Sequence, residues 1–132
     1  MDVSYVAGFF DGEGHVSCYQ LKGRPAYRFS LGMGQKVPAM KVLEDIRLFL
    51  WTSHGIRSAI YISKRTTGRN SRQANLSITS ARHTLNFLVL VRPHLIVKAD
   101  KADAAIPLLT AAIGRAEDLV ARRQAADQAK PA

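Results

Sequence analysis

The chain has 132 residues, 47% of them hydrophobic, the size and composition of one ordinary domain with its own core. Its 19 Lys and Arg against 10 Asp and Glu give a net charge of +9, which favours a polyanionic partner: nucleic acid or an acidic membrane surface. Cys18 is the only cysteine, which excludes an intrachain disulfide and a multi-cysteine zinc site, and no apolar run approaches the roughly 18 residues of a membrane span.

The first residues, MDVSYVAGFF, lack a basic leader and carry Asp2, so they do not read as a secretory signal, and an intracellular protein is expected. Val3 to Asp11 reads as a short helix, with Ser4 as its cap and Gly12 and Gly14 as its end. His15 to Leu21 reads as a strand, Lys22 to Pro25 as a turn, and Ala26 to Gln35 as a returning strand. In that second strand Tyr27, Phe29, Leu31 and Met33 alternate with Arg28, Ser30, Gly32 and Gly34, so one face is apolar and the other polar.

Pro38 opens a second helix in the tolerated N-terminal position, and Val42, Leu43, Ile46, Phe49 and Leu50 give it an apolar stripe that ends near Ser53 to Gly55. A second hairpin follows, from IRSAIYISK through the basic loop RTTGRNSR to QANLSIT. Ser80 is placed to cap a third helix, Ala81 to Val91, which stops before Pro93. Ala99 to Ala126 reads as a helical tail that Pro107 should kink or restart, and residues 127–132 read as a frayed end. The whole of 1–132 is expected as one α+β domain of the order helix, hairpin, helix, hairpin, helix, tail. Its two hairpins join in a four-stranded antiparallel sheet with helices on the apolar face.

The other face of that sheet is left bare. Strand alternation puts His15, Ser17, Tyr19, Arg28, Ser30, Tyr61, Ser63, Gln73, Asn75 and Ser77 on it, a set of donors, acceptors and stacking groups suited to base edges. The hairpin loops add Lys22, Arg24, Lys64, Arg65, Arg69 and Arg72 along one rim, suited to phosphates. A solvated sheet with charged turns would have the same pattern. The carboxylates of Asp11 and Glu13, set among glycines beside this sheet, tip the reading towards nucleic acid with a metal.

The stretch VAGFFDGEG, Val6 to Gly14, closely resembles the nine-residue motif of the LAGLIDADG homing endonuclease and intron maturase family, with a residue typical of the family at every position. The predicted order of elements matches as well, and HLIVKADKA, His94 to Ala102, is similar to the family's late segment around a functional lysine. The resemblance implies a site-specific double-stranded DNA endonuclease that hydrolyses phosphodiesters with Mg²⁺. It implies Glu13 as metal ligand and catalytic acid, with the Gly12 carbonyl beside it, and a mostly structural Asp11. It further implies Gln35 as a residue that orients water and Lys98 as one that stabilises charge at the scissile phosphate. The basic residue that the family can carry shortly after the Gln position is missing here or replaced by Lys36 or Lys41, since Lys36 is followed by Val37, Pro38 and Ala39.

The metal reading also has a local physical basis. A helix C-terminus carries partial negative charge, so a carboxylate there is unfavourable unless a cation accompanies it. Mg²⁺ keeps several waters and takes few protein ligands, so one acid per chain is sufficient when DNA phosphates complete the shell.

The motif occurs once in these residues, whereas single-chain members of the family carry it twice, so a homodimer on a palindromic or nearly palindromic site is implied. Ala7, Gly8 and Gly12 are the small residues expected where the two first helices meet. An intron-encoded origin fits the absence of splicing-domain sequence in these residues. A non-catalytic binder, either a maturase-like splicing cofactor or a degenerate DNA-binding relic, is the alternative. A membrane-surface role is disfavoured, because no long basic amphipathic helix with aromatic anchors is present.

Overall fold

A computed structural model describes residues 1–24, 26–63 and 72–129. Helix α1 (Val3–Glu13) leads into strands β1 (Gly14–Gln20) and β2 (Tyr27–Lys36), followed by a 3-10 turn at Val37–Ala39 and helix α2 (Lys41–His54). Strands β3 (Ala59–Ile62) and β4 (Gln73–Ser77) come next, then helix α3 (Ala81–Val91), a 3-10 turn at Arg92–His94 and helix α4 (Ala99–Ala129). No described helix is long and apolar enough to cross a membrane.

The four strands form one antiparallel sheet in the order β1-β2-β4-β3, so the inner strands of the two hairpins pair with each other. The architecture is the α+β sheet-and-helix layer that the alternation predicts. The apolar face carries Val16, Leu31, Met33, Ala74 and Leu76, all buried, and the helices cover it. Helix α1 contributes Val6, Ala7 and Phe10, α2 contributes Leu43, Ile46 and Leu50, α3 contributes Phe87, Leu88 and Val91, and α4 contributes Ala102, Ala105 and Leu109. The Phe10 and Phe87 rings meet edge to face at 5.1 Å, in the geometry their quadrupoles prefer, and this contact ties α1 to α3.

Several boundaries differ from expectation for identifiable reasons. Asp2 caps α1 instead of Ser4: its carboxylate accepts the Tyr5 N–H at 2.8 Å, and a carboxylate is well placed at the positive end of a helix. The helix also runs on through Gly12 to Glu13 before Gly14 turns it into β1. Gly14 is required there because a Cβ would lie 2.6 Å from the Phe10 carbonyl oxygen and inside the Phe10 ring's space. Pro38 sits in the 3-10 turn, one step before α2 proper. Gly55 ends α2 in the left-handed region at φ 64°, as a helix-stopping glycine does.

Ser80 caps α3 through its side chain, as expected, by accepting the His83 N–H. Helix α4 continues unbroken through Pro107 and takes in 127–129, which the sequence suggested were frayed. Residues 130–132 lie outside the described residues.

Candidate nucleic-acid interface and metal site

The register of the ladders fixes which side chains share the open face. Directly opposed residues point the same way, and the pairs are Tyr19 with Arg28, Ser17 with Ser30, and His15 with Gly32 and then Ser77. Tyr61 and Gly34 flank Asn75, and Lys36 faces Gln73. His15, Ser17, Tyr19, Arg28, Ser30, Tyr61, Gln73 and Asn75 are exposed, and Ser63 and Ser77 are half-buried.

The face is polar from end to end but uneven. Gly32 and Gly34 leave its centre flat. A Cβ on Gly32 would lie 2.9 Å from the His15 ring, and that gap lets His15 lean across β2 so that its Nε2 pairs with Ser30 Oγ at 3.1 Å. Large side chains, Tyr19 with Arg28 and Tyr61, stand towards the outer ends of the hairpins.

Lys22 and Arg24 are exposed in the first hairpin turn, and Arg72 is exposed at the start of β4. Lys64, Arg65 and Arg69 lie outside the described residues. Lys36 joins the open face, although it was not among the residues predicted there. Its signal was the alternation Arg28, Ser30, Gly32, Gly34 carried one step past the expected end of the strand.

Gln35 lies elsewhere. It pairs with Ala74 on the helix-packed side, and its Oε1 accepts the N–H of its neighbour Lys36 at 3.0 Å. Since Met33 pairs with Gly14, Gln35 sits just beyond the β1–β2 ladder at the α1 end of the sheet.

At that same end the two carboxylates of the motif diverge. Asp11 turns inward. Its carboxylate accepts the N–H groups of Ile96, Val97 and Lys98 at 2.9, 3.0 and 2.8 Å, and the Lys98 Nζ donates to the Asp11 carbonyl at 2.6 Å. Burial acts to raise the Asp11 pKa. The backbone donors of Val97, Lys98 and Ile96, reinforced by the Lys98 charge, overcome it and hold the carboxyl below its ordinary value of 3.8.

The structural role expected of Asp11 therefore has a definite form: it fastens the segment before α4 to the end of α1. Lys98, half-buried, is held there with its ammonium 5.8 Å from the centre of the Phe10 ring. It answers the partial negative charge of the last-turn carbonyls.

A stability prediction follows from the sign of the Asp11 shift. A carboxyl whose folded pKa is depressed stabilises the fold fully above its ordinary value and loses that contribution as pH falls through the folded value. Asp11→Asn should cost about 1–3 kcal/mol near neutral pH, because the amide has one acceptor oxygen where two now serve three N–H groups, and its NH2 leaves at least one of those donors unpaired. The difference between the two proteins should shrink below about pH 3.8. Thermal melts of both from pH 7 to 2 measure it. A constant difference across that range would contradict the assignment.

Glu13 turns outward. It is exposed at the last position of α1 and makes no hydrogen bond or ion pair among the described residues. Gly12, in the same turn, is exposed, and last-turn carbonyls have no intrahelical partner. No group of three or more His, Cys, Asp or Glu able to hold a metal occurs among the described residues. One free carboxylate beside helix-end carbonyls is an oxygen-only donor set. It fits a hard divalent cation that keeps its waters and takes further oxygens from a polyanion, and it does not fit a caged or soft metal.

Gly8 and Gly12 are exposed, and a Cβ on either would meet no atom within 4 Å. Ala7 corrects the expected contact surface: it is fully buried in the chain's own core, because it shares the inward face with Val6 and Phe10. Tyr5 takes its place on the outer stripe, 50% exposed and three residues before Gly8. Ile96 and Val97, beside the end of α1, are 85% and 76% exposed, which is unusual for such side chains.

No protein-family model and no curated protein matches the sequence. Solved structures do match the fold. The homing endonuclease I-CvuI, determined on the I-CreI target with Mg and on its own target with Ca, superposes with TM-scores of 0.61 and 0.60 at 18% identity, over 82% of this chain and 65% of that one. The LAGLIDADG homing endonuclease I-GzeII, determined with its DNA target, superposes with a TM-score of 0.53 at 16% identity, over 73% of this chain and 30% of that one. The chain thus spans just under two thirds of I-CvuI and under a third of I-GzeII.

Proposed function

With the fold of LAGLIDADG homing endonucleases as premise, and the motif in the first helix of that fold, we propose that this chain is a site-specific, divalent-metal-dependent DNA endonuclease. It acts as a homodimer, inside the cell with its DNA target, on a long, nearly palindromic duplex. The observation that carries this reading is the position of Glu13, a carboxylate without a partner among the described residues, at a helix end bordering a bare polar sheet, in a chain of net charge +9. An anion left unneutralised next to a DNA-binding face needs a cation to be tolerable.

In this reading the open face lies along the major groove, whose base edges carry a distinct donor and acceptor code. Arg28, Asn75, Gln73 and His15 supply side chains able to read it, and Lys22, Arg24 and Arg72 hold phosphates. Glu13 and the Gly12 carbonyl would hold Mg²⁺, which when bound supplies a lowered water pKa and charge neutralisation at the phosphoryl oxygens. Lys98, fixed by Asp11, spends one N–H on the Asp11 carbonyl and keeps two for charge developing on the scissile phosphate. Gln35, at the α1 end of β2, is the residue proposed to order water there. Dimerisation through Tyr5, Gly8 and Gly12, with Ile96 and Val97 beside them, would bring two such corners together and cover the exposed apolar groups.

Selection of bound duplexes from a randomised pool, followed by incubation of the winners with Mg²⁺ or with chelator, tests the proposal. Enrichment of a twofold-related sequence that is cut on both strands only with Mg²⁺ is expected. Enrichment without any cutting would make the chain a non-catalytic binder, and no enrichment at all would remove the DNA assignment.

The division of labour on the interface is separately testable. Arg72→Ala should weaken all sequences alike and flatten the salt dependence by about one unit of slope per lost phosphate contact, roughly twice that in a dimer. Arg28→Ala should relax preference at one base pair per half-site, at about 1–3 kcal/mol per lost bidentate contact. Salt titrations and base-by-base profiles of both variants measure it. Exchanged behaviours would contradict the assignment of Arg72 to phosphate and Arg28 to a base.

A further inference from the structure

A second candidate site lies away from the sheet's open face, on the flank of α2. Glu44, Arg47, Leu48 and Trp51 follow one another at helical spacing and, with Arg57 and Ser58 from the segment before β3, line a cavity of about 370 Å³. That volume falls in the range that holds a small organic group. Leu48 and Trp51 are 63% and 54% exposed, while the inward stripe of the same helix, Leu43, Ile46 and Leu50, is fully buried. The Arg57 guanidinium lies over the Trp51 ring at 5.7 Å. Ser58 Oγ is buried without a hydrogen-bond partner, and it is the one such side-chain atom found among the described residues. That Oγ has no exposed surface, so the polar groups open to a ligand are the exposed side chains of Glu44, Arg47 and Arg57.

The ligand must satisfy three chemistries together: a flat apolar body for Trp51 and Leu48, an anion for Arg47 and Arg57, and a donor for Glu44 at the rim. A bare anion leaves the apolar surface uncovered. An acidic peptide offers carboxylates on flexible stems and no flat ring to cover Trp51.

We infer that this cavity takes an unpaired nucleotide of a single-stranded nucleic acid, with its base against Trp51 and Leu48 and its phosphate between Arg47 and Arg57. Aromatic stacking combined with arginine contacts to the backbone is how single strands are held without the groove of a duplex. An exocyclic amino group on the base can donate to Glu44. The site is separate from the sheet that would hold duplex DNA, so the chain would carry two nucleic-acid surfaces of different kinds.

Trp51 is the only tryptophan in the chain, so its intrinsic emission reports on this cavity alone. The full-length protein is titrated with a single-stranded RNA oligomer, the DNA oligomer of the same sequence, the blunt duplex, an abasic strand and polyglutamate. Saturable quenching by one or both single strands is expected, and the preferred strand identifies the source of the nucleotide. Abasic substitution should weaken binding about fivefold or more, the lower end of a base-stacking contribution. Arg47→Ala and Arg57→Ala should each weaken quenching comparably while leaving duplex affinity, read by mobility shift, unchanged. Quenching by polyglutamate or duplex as strong as by single strands, indifference to the abasic or arginine changes, or no quenching at all would each overturn the inference. Because duplex binding is read in its own assay, failure here and failure of the endonuclease proposal are distinguishable.

Discussion

Glu13→Gln should abolish cleavage and leave duplex binding intact. The side chain is exposed and unpaired among the described residues, so its replacement by an isosteric amide disturbs no contact in the fold, and stability should move by no more than about 0.5 kcal/mol. The amide keeps an oxygen but loses the charge that, on the proposed reading, would draw a divalent cation to a helix end already rich in carbonyls. Changes to groups behind metal ligands commonly cost about 10–100-fold, so loss of the sole acidic ligand in each chain should cost more than about 100-fold in cleavage rate. Affinity for the selected duplex, measured with Ca²⁺ or chelator, should hold or tighten slightly as two negative charges per dimer leave the neighbourhood of the phosphates. A variant that still cuts at near wild-type rate would remove Glu13 from the site, whatever the fold.

Gly8→Leu should separate assembly from folding. Nothing lies within 4 Å of a Cβ at this position, so the chain itself has room for the larger side chain. Leucine is a better helix former than glycine by about 1 kcal/mol, so the isolated chain should melt no lower. The same side chain would hold two first helices apart if they meet at Tyr5, Gly8 and Gly12. Sedimentation should then give a monomer, and double-strand cleavage should vanish with Glu13 untouched. The opposite signs expected for stability and assembly make the result informative. A variant that sediments as a dimer at the same concentrations would place the partner surface elsewhere on the molecule.

Much of this protein was legible in its sequence because the relevant signals are local. Alternation along β2 identified its two faces correctly, since the side-chain period of a strand is fixed by backbone geometry. Ser80 before Ala81 and Gly55 after His54 marked helix ends through bonds and dihedral angles that depend on few neighbours. The motif at Val6 to Gly14, with the order of elements around it, was enough to anticipate the fold that the superpositions with I-CvuI and I-GzeII display.

What the tertiary structure decided was the direction of each functional group. Asp11 and Glu13 are two residues apart on one helix, and nothing in their spacing reveals which is spent internally. The segment 96–98, more than eighty residues later, presents three N–H groups to Asp11 and none to Glu13. Ala7 and Gly8 are both small and adjacent, but only packing against the sheet reveals that Ala7 is buried and Gly8 is open. Gln35 reads as a polar strand end, yet its pairing with Ala74 puts it on the covered side. The cavity at Trp51 joins a helix to a connector across several residues of chain, and no periodicity announces it. Sequence alone determined the elements, their faces and the candidate chemistry, because those follow from short-range geometry. Which carboxylate is free, which small residue is bare and where a second ligand can sit depend on long-range contacts, and only the folded chain brings these together.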